Sequence, residues 1–471
     1  MIAGMFGSTR ASVRAVRWAW TLIAAAAVSC GQEPAPPAVP SPRGVQTETL
    51  AAQCPSEPVP SDRAPGTRPG QETAAFWLDK LEPEQRDSTV VAADELDGLN
   101  ARFSEVVGAW RDIDGQAVGD RTIVDAAIAD RMDYLGREVE AGRYVEGVPG
   151  AFAAAAEVVA KATAVDHQRL VVEETPLACI PVRGGLFRRP KDPDFDRNAC
   201  ASLHPAERIR VLARGPSGDW LYVHAGHTVG WVDRAALTPR LRREQIDAWT
   251  QPQRLVPIRD DVQTAGGVRL RLGVSVPLLR TLEDGFEVLV PGAEGPQTDR
   301  VAADAPVSVG TPALTKAALL DVAFSEMGDA YGWGGRAGER DCSRYLRDLF
   351  ATFGLQLARH SGVQAKLGVR NVDVSDLSPS RKRAAIRAAG ARGVVLLYMR
   401  GHIMLYLGPE GGRDYALSAI SEYLEPCGAE GATTYRIDEV AVTTLALGEG
   451  TARTSFLERI VTLVIFEPAA G

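Results

Sequence analysis

Residues 331–353 read YGWGGRAGERDCSRYLRDLFATF. Glycines crowd the first part, at positions 332, 334, 335 and 338. Apolar side chains then recur at Tyr345, Leu346, Leu349, Phe350 and Phe353, which lie 3, 4, 7, 8 and 11 residues after Cys342. That spacing predicts one buried face of an α-helix. Asp341 suits the N-cap, so Cys342 stands at the helix start and Ser343 in the first turn. Free backbone N–H groups and the positive end of the helix dipole favour a thiolate there. The plain alternative is a small core cysteine, and a base elsewhere in the chain decides between the two.

A thiol nucleophile needs a general base. Of the six histidines only His360 and His402 follow Cys342. His402 lies between two apolar runs, 394–398 and 403–407, with Arg400-Gly401 as a tight turn between antiparallel strands. His360 sits in the polar stretch Arg359-His360-Ser361. His402, at a strand start where a helix N-terminus can dock, is the preferred base and His360 the alternative. A third strand over 415–420 carries Ser418 as its polar interior position, where it either orients the imidazole or is a satisfied strand hydroxyl.

The pattern Tyr331-x-Trp333-Gly334-Gly335, Asp341-Cys342-Ser343, Arg359-x-Ser361 and Gly401-His402-x-x-x-Tyr406-x-Gly408 resembles the NlpC-type, papain-like cysteine peptidases that cut peptidoglycan peptides. The resemblance implies an α+β domain with Cys342 as nucleophile and His402 as base. It implies Tyr331 near the oxyanion, and Trp333, Asp341, Ser343, Arg359 and Ser361 around the substrate. Two positions depart from the family pattern. Arg344 replaces the usual glycine after Asp-Cys-Ser, and Ser418 aligns where His, Asn or Gln is usual.

At 471 residues the chain is long enough for about three domains. Its 45% hydrophobic and 24% charged content is that of a globular protein. A net charge of −8 argues against a nucleic-acid partner. The six cysteines form no metal-binding spacing, and no metal or cofactor is expected. Cys179 and Cys200 share one segment, and an oxidising compartment would permit a disulfide between them. Cys427 reads as structural.

In chain order, residues 1–30 read as a lipoprotein-type signal. Arg10, Arg14 and Arg17 precede a short apolar run that ends in Ala27-Val28-Ser29-Cys30, with Cys30 as the lipidation site. This predicts export and a lipid anchor at the cell envelope, at an outer membrane facing the periplasm. The proline-rich residues 31–70 read as a disordered tether. Residues 71–165 carry helical apolar spacing, including 96–113 and 123–135. Residues 166–240 and 241–305 show short strand-and-turn runs that resemble bacterial SH3-like barrels, with Trp220 and Trp231 expected in a barrel core. Residues 306–471 hold the peptidase domain. The basic run 381–392 reads as a solvated helix face, with contact to substrate carboxylates as the alternative.

A helical segment, two barrels and an NlpC-type domain in that order resemble a subgroup of γ-D-glutamyl-L-diamino acid endopeptidases. The resemblance implies a cut between γ-D-glutamate and the diamino acid of a stem peptide with a free N-terminal L-alanine. Asp194 and Asp196 in the acidic loop 192–196 are candidates to hold that ammonium. A monomer is expected. The competing reading is a catalytically weak wall-binding lipoprotein that uses its barrels, and Arg344 and Ser418 favour it.

Overall fold

A computed structural model describes residues 54–428 and 431–468. The expected signal segment, Cys30 and the tether up to residue 53 lie outside the described residues. Helical and sheet modules alternate along the chain, which is the α+β multidomain class expected.

The strands of the C-terminal sheet are β1 (Val59–Pro60), β2 (Arg370–Asp373), β3 (Val394–Met399), β4 (His402–Glu410), β5 (Arg413–Cys427), β6 (Gly431–Thr444) and β7 (Ile460–Phe466). Their spatial order is β1-β6-β5-β4-β3-β7-β2. Every pair is antiparallel except β1 with β6. Near-continuous apolar runs in β3 and β4 bury both faces of the sheet. Leu396, Leu405, Leu417 and Val464 face the helices Lys316–Phe324 and Cys342–Thr352. Val395, Leu397, Met404 and Ile465 face the helix Pro379–Arg392. Truncating a fully buried residue such as Leu346 or Phe350 to alanine in such a core costs about 2–5 kcal/mol.

The proline-rich stretch needs correction from residue 54 onward. Cys54 forms a disulfide with Cys427, and Val59–Pro60 adds to the sheet as β1 against Tyr435 and Arg436. Ser61 N–H donates to the Arg436 carbonyl at 2.7 Å, and its hydroxyl meets the Tyr423 hydroxyl at 2.9 Å. Proline fixes an extended backbone, and an edge position tolerates its missing N–H. The same composition that suits a tether therefore suits a strap along a sheet edge.

The helical segment is divided between two neighbours. Trp77, Val90, Leu99 and Phe103 join the core under the Cys342 helix. The helices Arg121–Glu140 and Val148–Ala160 pack on the first barrel through Val124, Ile128, Leu135 and Ala155. Short helices with few apolar residues each cannot close a core of their own. The helix expected over 96–113 ends at Ser104, and Gly108 then turns the chain at φ 81°.

The first barrel is a six-stranded sheet ordered 163–170, 208–214, 220–224, 229–233, 175–178 and 199–203. Its core holds Leu177, Leu203, Ile209, Val223 and Val232. Trp231 is buried beside Val124 and Ile128, at the contact with the long helix rather than in the barrel core. Trp220 is half-buried. Cys179 and Cys200 are disulfide-bonded. The second sheet is ordered 295–302, 285–292, 276–282, 254–257 and 307–309, around Leu255, Val276, Val288, Val290 and Val301.

A buried ion network ties the three modules at the back of the Cys342 helix. Asp348 accepts from Arg340 Nε at 2.9 Å, Arg344 Nε at 2.7 Å and Arg347 Nη1 at 2.7 Å. His204 of the first barrel lies 3.2 Å away through Nε2, and its Nδ1 meets Glu174 at 2.6 Å. Arg344 also donates to the Ser202 carbonyl and to Glu207, 3.0 Å away, both in the first barrel. Arg340 reaches Asp260 of the second barrel at 2.7 Å and Glu326 at 2.9 Å. Burial opposes the charged form of Asp348, but the surrounding guanidiniums outweigh it and hold its pKa well below the usual carboxylate value. Arg344, the departure that suggested a degenerate domain, is thus an intermodular clamp.

Candidate active site

The turn before Cys342 is shaped by what it packs against. Gly334 and Gly335 adopt φ 63° and 88°, which favours glycine. A Cβ on Gly334 would lie 2.3 Å from the Ala199 carbonyl, and one on Gly335 2.5 Å from Ser202 N. The turn therefore lies directly on the barrel strand 199–203. Trp333 Nε1 donates to the Asp196 carbonyl at 2.9 Å, and its ring meets Phe195 edge-on with centroids 5.3 Å apart. Tyr331 N–H donates to the Asp438 carbonyl at 2.7 Å, which pins the turn to β6.

Asp341 caps the helix, accepting from Arg344 N at 2.9 Å. It also accepts from Ser343 Oγ at 2.9 Å, Gly334 N at 3.2 Å and Arg359 Nη2 at 2.5 Å. Burial works to raise the Asp341 pKa, yet Arg359 and these donors outweigh it and leave the pKa below its ordinary value. Arg359 Nη1 also donates to Ser343 Oγ at 2.8 Å, and Ser361 opens the short helix Ser361–Gln364. Asp341, Ser343 and Arg359 thus form one cluster that fixes the start of the Cys342 helix.

Cys342 is the first helical residue and takes part in neither disulfide. It is 1% exposed. Its helix packs on β4 and β5, the strands that carry His402 and Ser418. His402 follows the two-residue turn Arg400-Gly401, where Met399 pairs with His402 and Gly401 takes φ 85°. His402 Nε2 lies 3.1 Å from Ser418 Oγ. The Phe456 ring stands 6.0 Å from the imidazole. Burial first, then the nearby Arg459, pulls the His402 pKa down to about 3, while Asp341 works the other way. The imidazole is therefore neutral near pH 7 and able to accept a proton.

His360, the alternative base, lies in a recess with Ser343 and Arg359 beside the first barrel. Crowding by the surrounding protein, then Arg359 and Arg131, pulls its pKa down, although the residue itself is exposed. The acidic loop is a clasp between modules. Asp194 pairs with Arg336 of the turn at 2.7 Å and with Arg436 of β6 at 2.5 Å. Asp196 Oδ1 accepts from Leu186 N at 2.7 Å and Asn198 N at 2.8 Å. The expected ammonium contact finds no support in these pairings. The basic helix also spends its charges internally. Arg383 and Arg387 pair with Asp414 at 3.1 and 2.8 Å, and Lys382 Nζ donates to the Glu458 and Ile460 carbonyls at 2.6 and 2.7 Å.

Sequence reasoning missed Arg131, Arg188 and Arg197, which converge on the recess from the helical segment and the barrel. No local pattern marks them, because their neighbours are distant in sequence.

The buried histidines set the acid stability. Burial first, then Arg111 and Arg210, lowers His224 to about 4, and burial with Arg347 and Arg344 puts His227 well below its ordinary value. Between pH 6.5 and about 4 the unfolded chain binds protons on these groups and on His402 that the folded chain does not. Stability therefore falls as pH falls through that window. Glu326, pushed up to about 8 by burial despite Arg340, works the other way, as do the carboxyls of Asp196, Asp438 and Glu439, also raised by burial. The melting temperature is expected to drop by about 5 °C or more between pH 7 and pH 5. A flat or rising profile measured by calorimetry would contradict this.

Residues 328–415 match the NlpC/P60 family and residues 186–233 match an SH3 domain of the SH3b1 type. No curated protein matches the chain. Among solved structures, a novel NlpC/P60 endopeptidase from Photobacterium damselae subsp. piscicida is similar at 14% identity and a TM-score of 0.70, over 87% of this chain and 99% of that one. That likeness extends the shared fold across nearly all the modules. An NlpC/P60 family protein from Bacillus cereus aligns at 15% identity and a TM-score of 0.45, over 64% of this chain and 100% of that one.

Proposed function

We propose that this chain, whose C-terminal domain is an NlpC/P60 cysteine peptidase domain joined to an SH3b barrel, hydrolyses the amide between γ-D-glutamate and the diamino acid of cell-wall stem peptides. The observation that carries the reading is a helix-start cysteine whose helix packs on the two strands that carry His402 and Ser418, with His402 Nε2 3.1 Å from Ser418 Oγ. Cys342 is the nucleophile, His402 the base and Ser418 the orienting group. With Nε2 engaged by Ser418, Nδ1 is the nitrogen that takes the thiol proton. The thiolate adds to the γ-carbonyl. Backbone N–H groups at the helix start, together with Tyr331, face the oxyanion. The imidazolium returns its proton to the departing amine, and water then hydrolyses the thioester with His402 again as base.

Trp333, Asp341, Ser343, Arg359 and Ser361 line the acyl side of the cleft in this reading. The barrel strand 199–203, seated on the glycine turn, closes one end of it and favours short peptides. Export and lipid attachment at Cys30 belong to the same proposal. Among the described residues no helix is long and apolar enough to cross a membrane.

The direct test incubates the protein with L-Ala-γ-D-Glu-meso-diaminopimelate and follows products by mass spectrometry. Release of L-Ala-D-Glu by wild type and not by Cys342→Ala is the expected result. No release from this peptide or from longer wall fragments would reject the proposal. Ser418→Ala removes one hydrogen bond to the base and is expected to lower kcat about 5- to 10-fold. Ser418→Asn should recover part of the loss by offering the same partner, and an unchanged kcat in the alanine variant would remove Ser418 from the machinery.

A further inference from the structure

A cavity of about 80 Å³ remains where the helix Arg121–Glu140, the first barrel and the turn before Cys342 meet. Arg131 and Tyr134 of the helix, Arg188 and Arg197 of the barrel, Trp333 of the turn and Ser343 of the Cys342 helix contribute to its walls. Positive charge dominates this lining, and its compensation is uneven. Arg188 is paired with Glu138, and Arg359 with Asp341 at 2.5 Å. Among the described residues no carboxylate lies within 4.0 Å of the Arg131 guanidinium. Its Nη2 touches the sulfurs of Cys179 and Cys200, and its buried Nε has no hydrogen-bond partner. Burial lowers the Arg131 pKa below the ordinary arginine value, and an enclosed guanidinium still stays charged near pH 7. Such a cation is costly to keep unless an anion meets it.

We propose that this cavity is a carboxylate subsite and that Arg131, supplied by the helical segment, is its counter-ion and a specificity-determining residue. The assignment rests on the reaction proposed above. In a γ-linked glutamyl peptide the α-carboxylate stays free on the residue that acylates Cys342. The cavity borders Asp341 and Ser343, which flank Cys342 in sequence. The space is ample for a carboxylate.

The test compares L-Ala-γ-D-Glu-meso-diaminopimelate with the same peptide amidated at the α-carboxylate, so the scissile bond is unchanged. A charge-assisted hydrogen bond to the acid predicts a preference in kcat/KM of about 10- to 100-fold for wild type, expressed mainly in KM. Arg131→Gln should reduce that preference to less than about threefold, because the acid loses far more than the amide. Arg131→Lys should keep a part of it. A preference unchanged in Arg131→Gln, or an equal fall on both peptides, overturns the subsite. A second arm measures binding of L-Ala-γ-D-Glu and L-Ala-D-isoglutamine to Cys342→Ala by calorimetry. There the acid should bind about tenfold tighter, and adding Arg131→Gln should erase the difference. If wild type cuts neither peptide, the proposed reaction fails while this arm still decides the subsite: equal binding of the two overturns it.

Discussion

Asp348→Ala destabilises the protein by about 3–5 kcal/mol, since removing one partner leaves buried charge uncompensated. Asp348 is 1% exposed and serves Arg340, Arg344, Arg347 and His204 together. Without it Arg340 keeps Asp260 and Glu326. Arg344 and Arg347 are left to share Glu207, at 3.0 and 3.5 Å. Two guanidiniums on one carboxylate, all out of water, is the costly arrangement. Asp348→Asn keeps the shape and loses the charge, so it should show the same direction with a smaller change. Because these groups meet from three modules, the loss should appear as separation of the modules' unfolding transitions. Urea unfolding followed by tryptophan fluorescence reads both effects. A midpoint shift equivalent to less than about 1 kcal/mol would mean that the network is replaceable by water.

The second large effect is on catalysis. His402→Ala is expected to lower kcat/KM about 10²- to 10⁴-fold, the usual contribution of a positioned base, with the circular dichroism spectrum unchanged. The residual activity should rise with pH, as the unassisted thiol ionises by itself. Wild type should behave differently. Its imidazole, held near 3 chiefly by burial, is already neutral at mildly acidic pH, so no limb near 6.5 is expected from this group. His360→Ala is the comparison that separates the two candidate bases: it should leave the shape of the pH profile intact. A loss under tenfold for His402→Ala would transfer the role of base elsewhere.

Much of the site was legible in the sequence because its parts are local and periodic. The apolar spacing after Cys342 matches the helix Cys342–Thr352, with Asp341 as its cap. Arg400-Gly401 reads as a turn because it falls between two short apolar runs, 394–398 and 403–407, and the strands pair as expected. The Cys179–Cys200 bond was within reach because it closes a separation of only 21 residues. What could not be read depends on contacts between distant residues. Arg344 looked like a defect in a motif, and its reason lies 142 residues away at Ser202 and 137 away at Glu207. Arg131 carries no motif at all. The proline-rich stretch was misread from Cys54 onward because composition reports an extended backbone but not whether a sheet edge is waiting for it.

The strap formed by Cys54, β1 and Ser61 has a mechanical consequence. A disulfide spanning 373 residues joins the start of the described chain to β5 of the peptidase sheet, so the intervening modules form a closed covalent ring. A pull applied ahead of Cys54 passes straight into the peptidase sheet and bypasses both barrels and the long helix. The barrel strand 199–203 therefore keeps its seat on the glycine turn while the N-terminal end is under tension. A single backbone cut in any link between modules would likewise leave every piece attached.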